Sequence, residues 1–167
     1  MHEPEGRPNF GTAIDSNGNT LTDAQGRSFT WDFENRLAQA VVPGQNGGTT
    51  TFKYDPFGRR IQKSGPLGTT NYLYDGYDVL GETDASGTSI ARYAGSMDID
   101  EPLSELQGTA TSYYQEDAIG SITSLSNGAG ALAGTYAYDS FGKLATSTGT
   151  LLNPFQYTGR VARPLSC

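Results

Sequence analysis

The carboxylates are the side chains of this chain best placed to do chemistry, and they recur at set positions. Asp15, Asp32, Asp55, Asp75, Asp117 and Asp139 each open a similar short stretch. Such a row offers general acid–base groups or oxygen ligands for a cation. The densest acidic run is Asp98-Ile99-Asp100-Glu101, so Asp98, Asp100 and Glu101 are the catalytic candidates. Calcium, however, takes six or more oxygens from a shaped loop, and this run lacks the ligand spacing of such loops. No metal or cofactor is expected. A carboxylate pair for glycoside hydrolysis needs only two acids at the right separation, which a sequence does not reveal. A Ser-His-acid triad would have to use His2, the only histidine, in a stretch with no apolar pattern. Trp31, Tyr113 and Tyr114 are candidates for stacking on sugar rings, which makes a glycan a candidate partner.

The elements that carry these residues favour a structural role for most of them. In Phe52-Lys53-Tyr54-Asp55-Pro56-Phe57-Gly58-Arg59-Arg60-Ile61 the aromatics alternate, as on a half-buried strand. The next four residues form a turn with a mechanism. Asp bonds the backbone ahead of it, Pro presets φ, and Gly three residues on accepts the left-handed conformation. A type I turn closed by such a glycine bulge is a common hairpin connection. The position three after each Asp holds Gly18, Asn35, Gly58, Asp78, Gly120 and Gly142, the residue types that best tolerate positive φ. These turn residues therefore read as braces. Asp23 to Gly26, Asp84 to Gly87 and Asn127 to Gly130 repeat the signature.

Turn signals spaced mostly eight to twelve residues apart predict an all-β chain of repeated antiparallel hairpins. Phe33, Leu37 and Val41 lie at helical spacing, but the preceding Trp31-Asp32 sets this segment in register with the repeat and predicts a strand. Residues 1–11 read as a loose lead-in, 12–160 as the β domain and 161–167 as an irregular tail. The chain has 22 Gly, 10 Tyr and a net charge of −7. It offers no basic face for nucleic acid. No apolar run is long enough for a membrane span, and the polar start is not a secretory signal. Cys167 has no partner for a disulfide.

Four stretches together resemble the Rhs family of YD-repeat proteins, with their relatives the teneurins and toxin-complex C subunits. They are Tyr54-Asp55-Pro56-Phe57-Gly58-Arg59-Arg60, Ile99-Asp100-Glu101-Pro102-Leu103, Asp117-Ala118-Ile119-Gly120-Ser121 and Asn153-Pro154-Phe155-Gln156-Tyr157-Thr158-Gly159-Arg160. Their order is similar to the C-terminal end of an Rhs core, over roughly residues 12 to 160. The resemblance implies a meandering sheet that spirals into a shell, from a bacterial polymorphic-toxin system, exported or at the cell surface. It implies a structural fragment of a toxin-enclosing shell, lacking the toxin and the self-cleavage motif. The expected partners are further YD-repeat segments or a second copy, joined through strand edges.

Overall fold

The computed structural model describes residues 11–45, 47–96, 101–151 and 153–159. The expectations for the lead-in, His2, Asp98, Asp100, the tail and Cys167 fall outside these residues, wholly or nearly so. Fourteen strands follow in order: β1 (Ala13–Ile14), β2 (Thr20–Thr22), β3 (Ser28–Trp31), β4 (Leu37–Val42), β5 (Gly48–Tyr54), β6 (Arg60–Gly65), β7 (Gly68–Asp75), β8 (Asp78–Thr83), β9 (Ser89–Gly95), β10 (Pro102–Gln107), β11 (Ala110–Glu116), β12 (Ile122–Asn127), β13 (Leu132–Tyr138) and β14 (Leu144–Thr148). A short 3-10 turn at Tyr157–Gly159 ends the described chain. The strands form one antiparallel sheet whose spatial order is the chain order, so each strand between the two ends bonds the one before and the one after it. The segment with helical spacing is strand β4. Phe33 lies outside it, on a turn tip, and is 91% exposed.

Most hairpins carry one extra residue next to the turn. The ladder of β5 and β6 pairs Lys53 with Gln62 but Tyr54 with Arg60, so one residue of β6 bulges. The same shift lies beside the Asp32, Asp117 and Asp139 turns. A bulge of this kind bends the strand and increases its right-handed twist.

Among the described residues the chain divides into two compact units, residues 11–70 and 71–159. The first has a thin core. Only Ala40, Thr50 and Phe52 are buried there, and the Arg60 guanidinium lies over the Phe52 ring at 5.6 Å. Much of its order must therefore come from backbone ladders and turns. The second unit has a denser core of Ala91, Tyr93, Ile122, Leu125 and Phe155. Phe155 comes from an irregular segment after the last strand. It meets Tyr93 and Tyr114 edge to face, with ring centroids 5.0 and 5.7 Å away. Edge-to-face contact is a favoured aromatic geometry, because the positive ring edge meets the negative face. The segment is also tied to the sheet. The Ile122 amide donates to the Gln156 carbonyl at 3.1 Å, and the Thr158 amide donates to Ser121 Oγ at 3.1 Å.

Phe155→Ala removes the ring that fills the gap between Tyr93 and Tyr114. Loss of a buried Phe costs about 3–5 kcal/mol. Urea unfolding should show this loss in the second unit, with reduced exchange protection of the Ile122 amide. An unchanged midpoint would refute the anchoring role.

Candidate functional site

One turn geometry recurs throughout. At Asp55, carboxylate Oδ1 accepts the amides of Phe57 and Arg59, both at 2.9 Å. The Gly58 amide donates to the Asp55 carbonyl, and the Asp55 amide donates to the Arg59 carbonyl. Gly58 has φ 79°, in the left-handed region. Asp15, Asp23, Asp32, Asp84, Asp117 and Asp139 make the same set of bonds, and Asn127 substitutes its amide oxygen. At the Asp32 turn Asn35 takes the left-handed position with φ 59°. Where Arg follows four residues after the Asp, it adds an ion pair. Arg27, Arg36 and Arg59 donate from Nε to Oδ2 of Asp23, Asp32 and Asp55 at 2.5, 2.7 and 2.6 Å. Partial burial acts to raise the Asp55 carboxyl, but bonds from the Arg59 side chain and backbone outweigh it and hold the group below the usual range. These carboxylates are committed to the backbone, which leaves them poorly suited to acid–base work.

The aromatic immediately before the Asp ties one such turn to the preceding one. Tyr54 Oη donates to the Leu37 carbonyl at 2.9 Å, and Tyr138 Oη to the Ile122 carbonyl at 2.9 Å. Trp31 Nε1 donates to the Thr20 carbonyl at 2.8 Å. In each case the acceptor lies five residues after the Asp of the earlier turn. Side chains extend the link: Asn17 and Asn19 both donate to Asn35 Oδ1, and Arg36 Nη1 reaches the Asp55 carbonyl at 3.4 Å. The Asp–Gly spacing points to each turn from sequence, but a bond across 11 to 17 residues leaves no local signal.

One expectation needs correction. Asp78 is not a left-handed turn residue. Asp75 pairs directly with Asp78, and the loop is the two residues Gly76-Tyr77 with φ 57° at Gly76. A glycine directly after Asp75 permits the tighter hairpin, so the longer bulged turn does not form. The three stacking candidates differ in exposure. Tyr113 and Tyr114 are neighbours on β11 and project to opposite faces. Tyr113 is half exposed, whereas Tyr114 packs on Phe155 and donates to Glu105 Oε2 at 2.6 Å. Trp31 belongs to the other unit and is half-buried. Of the catalytic candidates, Glu101 is the one within the described residues. It accepts from Ser96 Oγ, and its charge helps to raise the Glu116 carboxyl, second to burial.

Glu105 is a site residue that its sequence context conceals. The register shifts between Pro102 and Ser104, which reverses the parity of β10. Leu103 consequently faces solvent, and Glu105 is buried to 1% exposure. Its Oε2 accepts from Tyr114, and its Oε1 is buried without a hydrogen-bond partner. Burial pushes its carboxyl above the usual glutamate range, outweighing the side-chain hydrogen bonds from Tyr114 and Gln107 that act to lower it, and the nearby Glu82 charge adds a smaller upward push. Glu82 in turn accepts from Tyr93 Oη at 3.1 Å.

The repeated Asp turns, the chain-ordered hairpins and the aromatic ties define a class, the YD-repeat β sheets. Comparison with known proteins agrees. The chain is 33% identical over 152 residues to the tRNA3(Ser)-specific nuclease WapA of Bacillus spizizenii. It is 34% identical over 152 residues to the tRNA nuclease WapA of Bacillus subtilis. Each match covers 88% of this chain and 6% of the relative, so the chain spans a small part of the curated relatives it matches. Among solved structures, a Photorhabdus luminescens Tc holotoxin pore with a TccC3 mutation superposes with a TM-score of 0.64 at 15% identity, over 87% of this chain and 8% of that one. A TcdB2-TccC3 crystal structure gives 0.58 at 17% identity, over 89% and 8%. No family model matches. These likenesses agree with the resemblance to Rhs/YD-repeat proteins read from the sequence.

Two outcomes follow from this geometry. Gly58→Val should cost about 1–3 kcal/mol, because a β-branched residue resists positive φ. A Cβ at Gly58 meets nothing within 4 Å, so the cost there is backbone strain alone. At Gly142 a Cβ would also fall 2.5 Å from the Tyr157 ring, so Gly142→Ala should destabilise more than Gly58→Ala in urea unfolding. The second outcome concerns pH. Folding favours the protonated form of Glu105, so this group penalises the folded state once unfolded glutamate ionises. Stability of the second unit should fall as pH rises from the usual glutamate value through the raised folded value. Glu105→Gln should flatten that fall in chemical unfolding followed across pH.

Proposed function

We propose that this chain is a structural and interaction module of an Rhs-type toxin system, a segment of β-shell that joins further YD-repeat segments. The strand order carries this reading. β1 and β14 each have a single strand neighbour among the described residues, so each is a free end of the ladder. An open strand presents unpaired N–H and C=O groups and recruits another strand. β14, Leu-Ala-Thr-Ser-Thr, carries no charge to prevent it. The resemblance to toxin proteins supports placement in a toxin system, exported or at the bacterial surface. The nuclease activity in the relatives' names belongs to proteins of which this chain matches 6%.

The turn tips support a role in packing. Phe33, Phe57, Ile119 and Phe141 are exposed large apolar residues on the Asp32, Asp55, Asp117 and Asp139 turns. The turns at the other hairpin ends mostly carry small or polar tips, such as Ala24-Gln25 and Ala85-Ser86, with Leu67 the exception. Within each unit, exposed apolar turn tips of this kind suit burial against a neighbouring segment.

The experiment is light scattering across a wide concentration range. The chain should associate beyond 17.8 kDa. Placing lysines on the open strand with Ala145→Lys and Ser147→Lys should return it to a monomer, since edge charge blocks strand pairing. A persistent wild-type monomer would overturn the reading.

A further inference from the structure

One bulged turn carries a leaving group where its sister turns carry a carboxylate. Asn127, the last residue of β12, braces the turn into β13. Its Oδ1 accepts the amides of Ala129 and Ala131, both at 3.0 Å. The bond to Ala129 closes a ring that contains the Gly128 nitrogen, which brings the carboxamide carbon round toward that nitrogen. Asn127 and Gly128 are exposed, and a Cβ at Gly128 would meet nothing within 4 Å. Neither the Gly128 amide nor Asn127 Nδ2 has a hydrogen-bond partner among the described residues.

These are the parts of an intramolecular acyl transfer. A backbone nitrogen that attacks a side-chain amide builds negative charge on the amide oxygen. Here that oxygen already rests on two backbone N–H donors, at the distance an oxyanion needs. Attack forms a bond from Gly128 N to Asn127 Cγ and breaks the bond from Cγ to Nδ2. Nδ2 leaves as ammonia, taking the proton of the Gly128 amide. The product is a cyclic imide. Water then opens the ring at either carbonyl and gives Asp or isoAsp, so the sum is one water consumed and one ammonia released. The Asp product fits, because Asp15, Asp23, Asp32, Asp55, Asp84, Asp117 and Asp139 hold the same turn with the same bonds. The isoAsp product adds a methylene to the backbone, and the brace is lost.

A second Asn-Gly pair is arranged the other way. At Asn17-Gly18 the Gly18 amide donates to the Asp15 carbonyl at 3.1 Å, and Asn17 Nδ2 donates to Asn35 Oδ1 at 3.0 Å. Its nucleophile and its leaving group are both engaged. We propose that Asn127 is a self-modification site, which the folded turn converts to Asp or isoAsp through attack by the Gly128 nitrogen, while Asn17 is protected. The change adds a negative charge at the β12–β13 hairpin of a chain already at −7. It is independent of strand-edge association, since every group involved lies in one turn.

The test incubates the full chain at neutral pH and follows its Asn-Gly peptides by mass spectrometry, with a parallel sample unfolded in urea. In the folded chain Asn127 should convert roughly tenfold faster than Asn17, because only its turn supplies an unengaged nitrogen and two oxyanion donors. In urea the two should convert at similar rates, since each is followed by Gly. Asn46, also followed by Gly, lies outside the described residues and is read from its own peptide. Asn127→Asp, the product made in advance, should keep the wild-type exchange protection of the Leu125 amide. Equal rates in the folded chain would overturn the proposal. So would conversion of Asn127 only after unfolding, or lost protection in Asn127→Asp.

Discussion

The constraint on which the structure depends is the closure of the bulged turn by an Asp carboxylate. One oxygen accepts two amides that would otherwise lack partners, at the residues two and four positions on. That closure works only if the residue between them takes positive φ, which restricts it to Gly or Asn in these turns. Once both conditions hold, the extra residue is absorbed beside the turn and the following strand has its register. Every cross-strand contact in the hairpin inherits that choice, because a slip of one residue would exchange the two faces. The aromatic before the Asp is then delivered to a fixed height, where Tyr54, Tyr138 and Trp31 reach a carbonyl of the preceding hairpin.

The two units use this device against different backgrounds. The first buries little apolar surface and relies on ion pairs and stacked guanidiniums around its turns. Each such pair is partly exposed and contributes little alone. The second has Ile122 and Leu125 fully buried, with Phe155 capping them from outside the sheet. Its polar interior is concentrated at Glu82, Tyr93, Glu105 and Tyr114, where phenols donate to carboxylates. Such a network specifies an arrangement as much as it stabilises one, because a buried acid without its donor is costly.

Much of the fold was legible because its determinants are local. The Asp-x-x-Gly spacing located turns, and aromatic alternation located strands, including β4 despite its helical spacing. Asp78 misled because the residue type tolerates positive φ, while Gly76 two residues earlier offered a shorter loop. Glu105 was hidden by a bulge at Pro102, since alternation cannot be counted through an insertion that leaves no composition mark. Phe155 was visible as part of a motif, but its insertion between Tyr93 and Tyr114 depends on contacts across more than 40 residues. The aromatic ties between hairpins are long-range for the same reason. The carboxylates looked equivalent in sequence. Only their partners separate those spent on the backbone from Asp75 and Asp78.

Because the spatial order of strands is the chain order, every ladder can form as soon as its second strand exists. No ladder must wait for a distant part of the chain, so loop-closure entropy stays small at every step. The same ordering governs how the sheet responds to force. Tension applied at one terminus loads a single ladder at a time, and each hairpin yields before the next is strained. In the thin-cored first unit such a sheet opens in many low steps, whereas in the second unit the contacts of Phe155 with Tyr93 and Tyr114 hold several strands together.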